Sequence, residues 1–262
     1  MKIAVCIKQV PDTTEVRIDP ETNRLIRDGV PSIINPDDKS GLETALRLKE
    51  SMGAVVTAVC MGPLQAEVAL REALAMGCDE AVLISGREFG GSDTYATATI
   101  LAAALQQLGF DLLITGREAI DGNTAQVGPQ IAERLNIPQV TYVEGIQIEG
   151  EYLIAKRMFE DCYQRIKVRM PCLITALAEL AQPRYMTVRG IEDAYDTEIK
   201  MLAFDDLKDH LNPEWIGLKG SPTRVVRSFT KQAKGQGKKL AGMDLDEAVA
   251  SIIMTLEEHN II

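Results

Sequence analysis

The 262-residue chain reads as an α/β protein: a parallel sheet with helices on both faces, strands added at one edge, and a C-terminal arm ending in a helix. Short β-branched apolar runs alternate with Ala/Leu-rich helical segments as far as Leu135. Those runs are apolar at successive positions, as strands covered by helices on both faces must be. After Pro138 the texture changes, and strand-like runs follow one another directly.

Taken in order, Lys2 to Ile7 is a short apolar run closed by the turn-forming Pro11-Asp12, which gives a buried first strand. Asp37 or Asp38 can cap a helix that runs to about Ser51, with Leu42, Ala45, Leu46 and Leu48 at helical spacing and Gly53 ending it. Ala54 to Met61 is the second strand, Gln65 to Met76 a helix stopped at Gly77, and Glu80 to Ser85 the third strand. Thr94 to Leu108 is a helix ended by Gly109, Asp111 to Thr115 the fourth strand, and Thr124 to Leu135 the next helix. Gln139 to Ile148, Tyr152 to Arg157, Arg165 to Val168 and Cys172 to Ala176 read as strands that extend the sheet, the first pair joined by the Glu149-Gly150 turn. From Trp215 to Met243 there is no Asp or Glu but there are seven cations, which describes either a solvated linker or an arm that reaches a partner. A final amphipathic helix, Asp244 to Glu258, carries Leu245, Val249, Ile252, Ile253 and Leu256 on one side and must dock somewhere. We therefore expect a domain over residues 1–192 and an arm plus helix over 193–262.

Composition narrows the function. Hydrophobic residues at 46% and charged residues at 25% exclude disorder, and the length can bury a core without staples. The five cysteines lack CxxC spacing, so reduced thiols in the cytoplasm are expected rather than a zinc or iron–sulfur ligand set. His210 and His259 lie among charged residues near the C-terminal end, which argues against HExxH metal sites and a Ser-His-Asp triad. A net charge of −10 opposes binding to nucleic acid or an anionic membrane, and no run of apolar residues is long enough to insert in one.

The common nucleotide signatures are missing. No GxGxxG follows the first strand, there is no Walker A, and Phe89 to Thr94 resembles a pyrophosphatase phosphate loop but follows the wrong strand. More informative is the run Gly116-Arg117-Glu118-Ala119-Ile120-Asp121-Gly122-Asn123-Thr124-Ala125-Gln126-Val127-Gly128, between the carboxyl end of the fourth strand and the next helix. Ligands of open α/β sheets bind there, and a glycine followed by free helix-start amides suits a phosphate. The alternative is structural: Asp121 or Asn123 caps the helix and the glycines turn the chain. Cys6, Ile7 and Lys8, then Met61, Gly62 and Pro63, then the loop Gly90 to Thr97 with Gly91, Asp93 and Thr94, reach the same edge, as do Asn35, Pro36, Asp37 and Asp38. Loops of small, hydroxyl and amide residues converging on one edge suit a nucleotide. Asp93 is better placed to cap its helix than to move a proton, and no general acid or base stands out.

At this point a resemblance covers the whole chain. Val5 to Asp12, Asn35-Pro36, Met61-Gly62-Pro63, Ala73 to Gly77, Gly116 to Asp121 and Pro183-Arg184-Tyr185 fall in the order found in beta subunits of electron-transfer flavoproteins. Arg157, Glu160, Asp161, Gln164 and Pro171 to Thr175 supply that family's signature, with Cys162 at a position where Gly, Asp or Glu is usual. The resemblance implies a Rossmann-like domain, an alpha-subunit partner, and a nucleotide held by this chain. That nucleotide is AMP in the respiratory subgroup and, in the anaerobic subgroup, a FAD that takes electrons from NADH and bifurcates them. Gly90 to Thr97 and Gly220 to Thr223 are similar to the anaerobic subgroup, so FAD is the expected cofactor and AMP the alternative, with Gly90, Gly91 and Ala96 leaving room for the ring. By position, the nucleotide contacts fall on Cys6, residues 35–38, Met61 and residues 116–127, with Arg117 and the amides of Thr124 and Ala125 at the phosphate or a reduced flavin. Residues 186–195, with Tyr185, Met186 and Val188 foremost, correspond to the loop that docks a flavin dehydrogenase. Glu192, Asp193, Asp196 and Glu198 stand here where relatives often carry lysines. The competing class is a free-standing nucleotide sensor or hydrolase.

Overall fold

The computed structural model describes residues 1–12, 31–226, 235, 237 and 239–262. Two compact units result: one holds the described residues up to Val226, and the other holds those from Gly235 onward.

In the first unit, β1 (Lys2–Ile7), β4 (Val55–Met61), β5 (Glu80–Ile84), β6 (Leu112–Gly116), β7 (Gln139–Glu149), β8 (Tyr152–Met158), β9 (Tyr163–Arg169), β10 (Cys172–Ala176) and β11 (Ile199–Leu202) form one nine-stranded sheet. Its order is β11-β5-β4-β1-β6-β10-β7-β8-β9. From β11 to β7 all pairings are parallel, and β7-β8-β9 is an antiparallel extension. A separate hairpin pairs β2 (Gln9–Pro11) with β3 (Ser32–Ile34).

The two faces are covered because consecutive strand residues point to opposite sides. Ile3, Val5 and Ile7 pack with Leu42 and Leu46 of α1 (Pro36–Met52) and Leu70 and Leu74 of α2 (Glu67–Met76). Ala4 and Cys6 pack instead with Ile100 and Leu105 of α3 (Thr94–Leu108) and Ile131 of α4 (Val127–Leu135). Each such leucine or isoleucine, fully buried, contributes roughly 1.5–3 kcal/mol. The chain runs β1, β4, β5 toward one edge and then returns to place β6 on the other side of β1. That reversal opens a crevice at the carboxyl ends of β1 and β6.

The expected order of elements is present, with local differences. Asn35, not Asp37 or Asp38, is the α1 N-cap, because Pro36 occupies the first helical position where a missing N–H is harmless. Leu64–Ala66 is a 3-10 turn before α2 begins at Glu67. Two further helices, α5 (Val188–Asp196) and α6 (Phe204–Leu207), follow the sheet extension, and β11 adds to the far edge beside β5. In the second unit α7 (Leu245–Glu258) is capped by Asp244, whose side chain accepts from the Asp246 amide, and its Leu245, Val249, Ile252 and Ile253 are exposed. The basic stretch 215–243 is described through Val226 and at a few later positions, so the expectation of a linker or arm lies largely outside the described residues.

Candidate functional site

A cavity of about 680 Å³ opens at the carboxyl edge of the parallel strands. The ends of β1 (Cys6, Ile7, Lys8), β4 (Met61, Gly62, Pro63), β5 (Ile84, Ser85, Gly86) and β6 (Thr115, Gly116) form its floor, and the starts of α3 and α4 flank it.

Two buried polar side chains of the α1 N-terminus tie these loops together. Asn35 donates from Nδ2 to the Glu118 carbonyl at 2.9 Å and accepts at Oδ1 from the Ile120 amide at 3.0 Å. With its side chain committed there, Asn35 makes no side-chain cap. Asp38 accepts the Gly116 amide at Oδ1 (2.9 Å) and the Lys8 amide at Oδ2 (2.8 Å), which binds the end of β6 to the end of β1. Burial pushes its carboxyl up to about 7, against the pull of those amides and of Asn35. A Cβ on Gly116 would sit 2.1 Å from Asp38 Oδ1, so this crossing requires glycine.

Charges around the cavity are paired. Lys8 Nζ lies 2.7 Å from Asp121 Oδ1. Arg117 Nη2 donates to Glu118 Oε1 at 2.9 Å, and its guanidinium carbon stands 5.9 Å from the Tyr142 ring centre. Arg117 Nε is 3.5 Å from Asp37 Oδ2, and neither of these two buried atoms has a hydrogen-bond partner. The Arg117 placed at the cofactor by position is therefore already neutralised by two carboxylates, though it lines the cavity.

The run after β6 departs from the expected helix start. Asn123 (φ 46) and Ala125 (φ 51) adopt left-handed conformations, so α4 begins at Val127, three residues beyond Thr124. Thr124 and Ala125 thus belong to a loop. Ala125 is followed by Gln126 in the right-handed region (φ −106, ψ −29), and such alternation turns successive N–H groups into one concavity that suits an anion. The first-turn amides of α4 add to it, since helix starts leave them without intrahelical acceptors. Gly128 lets this turn approach the sheet: a Cβ there would lie 2.6 Å from Thr115 Oγ1. A Cβ on Gly122 would meet nothing within 4 Å.

Of the residues named from sequence, Cys6, Ile7, Lys8, Asp38, Met61, Gly62, Gly90, Gly91, Asp93, Thr94, Thr97, Gly116, Arg117, Glu118, Ala119, Gly122, Thr124, Ala125, Gln126 and Val127 line the cavity. Asn35, Pro36, Asp37, Ile120, Asp121 and Asn123 are not part of that lining. Pro63, Ser92 and Gly128, which lie in the loops read from sequence, line it too, and Ile84, Ser85, Gly86, Phe89, Leu101 and Thr115 join them. Thr115 carried a signal, a hydroxyl directly before the informative run.

Gly90 and Gly91 line the cavity and also meet a packing requirement, while Ala96 is not part of the lining. A Cβ on Gly91 would stand 3.1 Å from Leu218, one on Gly90 3.2 Å from the Arg87 carbonyl, and Ala96 is fully buried. Residues 216–223 press on this loop: Gly217 donates to Ser92 Oγ at 3.0 Å and Leu218 to the Gly90 carbonyl at 3.1 Å. Asp93 caps α3, accepting from the Ala96 amide (3.0 Å), and also accepts from the Thr223 amide (2.9 Å) and hydroxyl (2.7 Å). Burial alone would raise its carboxyl, but these donors outweigh it and hold it below the ordinary value. Cys6, by contrast, is buried without compensation, which pushes its thiol far up and leaves it inert as a nucleophile.

Tyr185, Met186 and Val188 lie away from the cavity, around the start of α5, and are 97%, 42% and 86% exposed. The segment expected to be a loop is thus mostly helix, capped by the Thr187 hydroxyl that accepts from the Gly190 amide at 2.9 Å. Among the described residues no group of His, Cys, Asp and Glu could hold a metal ion, and no helix is long and apolar enough to cross a membrane.

With this geometry in hand, comparison with known proteins is specific. Residues 22–207 match the family described as the electron transfer flavoprotein domain. The chain is 54% identical, over all of both sequences, to an electron transfer flavoprotein subunit beta of Thermoanaerobacterium thermosaccharolyticum. It is 52% identical, again over all of both, to the caffeyl-CoA reductase-Etf complex subunit CarD of Acetobacterium woodii. Over 99% of each chain it is 50% identical to the acryloyl-CoA reductase electron transfer subunit gamma of Anaerotignum propionicum. A match of this extent, on a parallel sheet with this crevice, places the chain in the electron transfer flavoprotein family, as one of its beta subunits.

Proposed function

We propose that this beta subunit holds FAD in the cavity at the β1–β6 crevice and works with an alpha subunit in the cytoplasm. In this reading it passes electrons from NADH to a flavin dehydrogenase of the acyl-CoA type by bifurcation. The observation that supports a nucleotide most directly is the concave turn at residues 124–128, which lines a cavity of nucleotide size. The residues fit the group: open space at Gly122 lets a phosphate approach the backbone, and Ile84, Phe89 and Leu101 give the cavity an apolar wall. The relatives whose names speak of caffeyl-CoA and acryloyl-CoA reductases support a partner that acts on acyl-CoA thioesters. Five unpaired thiols agree with a reducing compartment.

When bound, the flavin supplies the redox chemistry, and the chain supplies placement and electrostatics. The amides of residues 124–128 bind the phosphates. Asn35 and Asp38 hold the loops in register, and burial raises the Asp38 carboxyl at the cavity to about 7. Paired Lys8 and Arg117 leave the phosphate grip to neutral backbone dipoles. The exposed residues Tyr185, Met186 and Val188 form the docking surface for the dehydrogenase.

Acid extraction of the purified heterodimer, with FAD and AMP counted per heterodimer, tests the cofactor. Two FAD and no AMP are expected, with one FAD contributed by the partner subunit. One FAD and one AMP would replace FAD by AMP in this cavity, and a colourless monomer that consumes ATP would overturn the reading altogether. Reduction of two acceptors in parallel by NADH tests bifurcation.

A further inference from the structure

The segment 185–195 combines two properties that seldom coexist. Most of its side chains are left out in solvent, with Tyr185 97%, Val188 86% and Tyr195 72% exposed. Its backbone is nonetheless anchored at both ends by side chains of other helices.

At the leading end the anchor is a stripe along α1. Ser40, Glu43, Arg47 and Glu50 recur at three- and four-residue spacing and so share one face of that helix. Ser40 Oγ accepts from the Ala181 amide at 2.9 Å, and Arg47 Nη2 donates to the Gln182 carbonyl at 3.2 Å. Glu43 accepts from the Arg184 amide (3.2 Å), Nε (2.8 Å) and Nη2 (3.1 Å), and from Arg47 Nε (3.0 Å). Glu50 takes the remaining Arg184 nitrogen, Nη1. The Glu43 side chain is only 4% exposed, so this is not a casual surface ion pair: a carboxylate so buried needs both guanidinium partners.

At the trailing end the anchor is Arg71 of α2. Its Nη1 donates to the carbonyls of Ala194 (2.6 Å) and Thr197 (2.5 Å), its Nη2 to Glu67 Oε1 (2.8 Å), and its guanidinium lies 5.8 Å from the Tyr195 ring centre. Between the anchors, Gly190 brings α5 against the α2 backbone, where a Cβ would lie 2.5 Å from the Ala75 carbonyl.

We infer that Glu43 and Arg71 are positioning residues that pre-organise this apolar surface for the dehydrogenase, an inference that rests on the docking role proposed above for Tyr185, Met186 and Val188. Neither residue touches the partner. Each fixes the backbone that carries the contacts, so the ordering cost falls on folding rather than on encounter. The same α1 helix that holds the cavity loops at its first turn holds the docking surface farther along, and one rigid element thereby sets both.

The test uses the full heterodimer. Glu43→Gln and Arg71→Met are each expected to raise the KM for the dehydrogenase, and its dissociation constant by calorimetry, about tenfold, while kcat at saturation and bound nucleotide stay at the wild-type level. Amide exchange over residues 185–197 should quicken in both variants. Arg184→Lys keeps the charge but loses the fork and should fall between wild type and Glu43→Gln. Val188→Glu serves as the direct-contact control. If Val188→Glu weakens docking while both anchor variants bind normally, the positioning role is refuted and the docking surface stands. If all three bind normally, the docking reading falls and takes this inference with it. Should Glu43→Gln fail to fold, Arg184→Lys and Arg71→Met decide: parallel losses of kcat and nucleotide with KM would mean a purely structural role and would overturn the proposal.

Discussion

Two glycines of the crevice separate what holds the protein together from what holds its ligand. Gly116→Ala puts a methyl group 2.1 Å from Asp38 Oδ1 and 2.9 Å from the Asp38 backbone nitrogen. The nitrogen cannot swing aside, so the α1 N-terminus has to move, and the 2.9 Å bond from the Gly116 amide to Asp38 breaks. Overpacking contributes about 1–3 kcal/mol and the unsatisfied buried amide about 1–3 kcal/mol, so a loss of roughly 2–6 kcal/mol is expected in urea unfolding. Gly122→Ala meets nothing within 4 Å, and its stability should change by less than about 0.5 kcal/mol. If the backbone at residue 122 is where a phosphate approaches, this quiet substitution should still lower nucleotide retained through gel filtration. Retention unchanged in Gly122→Ala, or a Gly116→Ala protein within about 1 kcal/mol of wild type, would refute the reasoning for the corresponding residue.

Three further outcomes follow from the same geometry. Burial raises the Asp38 carboxyl from 3.8 to about 7, so the native state keeps a proton that the unfolded chain has released. Stability from this group is therefore present below the unfolded value, declines as pH rises from about 4 to 7, and is flat above. Urea midpoints across that window should fall in wild type and lose that slope in Asp38→Asn; equal slopes in both proteins would acquit Asp38. Lys8→Met removes a pair whose lysine is half exposed, and a stability change under about 1 kcal/mol is expected in the same assay. Cys162 is exposed and the other four thiols are buried, with burial pushing Cys60 and Cys78 up to about 12. A thiol reagent should therefore label one equivalent quickly in the native protein, and Cys162→Ser should abolish that phase.

The parallel half of the fold was legible because local signals and burial agree there. The runs that became β1, β4, β5 and β6 are apolar on both faces, and Gly53 and Gly109 end α1 and α3 where the chain needs a break. β11 escaped because Ile199–Leu202 is only four residues long, carries Lys200 and gains its identity from pairing with β5, far back in the chain. The β2–β3 hairpin joins Gln9–Pro11 to Ser32–Ile34, a separation no local pattern reveals. The loop expected at residues 186–195 rested on the resemblance alone; the helix there is interrupted by Gly190, and its packing against α2 supplies what propensity does not. At the cavity, small residues and loop ends announced the lining, but not the left-handed Asn123 and Ala125 that delay α4. The commitment of Lys8 to Asp121, and of Arg117 to Asp37 and Glu118, was equally hidden, because ion pairing is decided by the tertiary approach of separate loops.

The sheet stops at β9, whose outer rim of N–H and C=O groups has no neighbouring strand among the described residues. Were two molecules to zip together there in antiparallel fashion about Ile166, Arg165 of one would face Lys167 of the other, twice over. Like-charged rungs directly opposite one another oppose such a ladder, and parallel stacking in register would set each cation against its own counterpart. A strand that leaves its backbone unsealed thus guards the crowded protein against fibril growth, and replacing Arg165 and Lys167 by threonine would remove the guard.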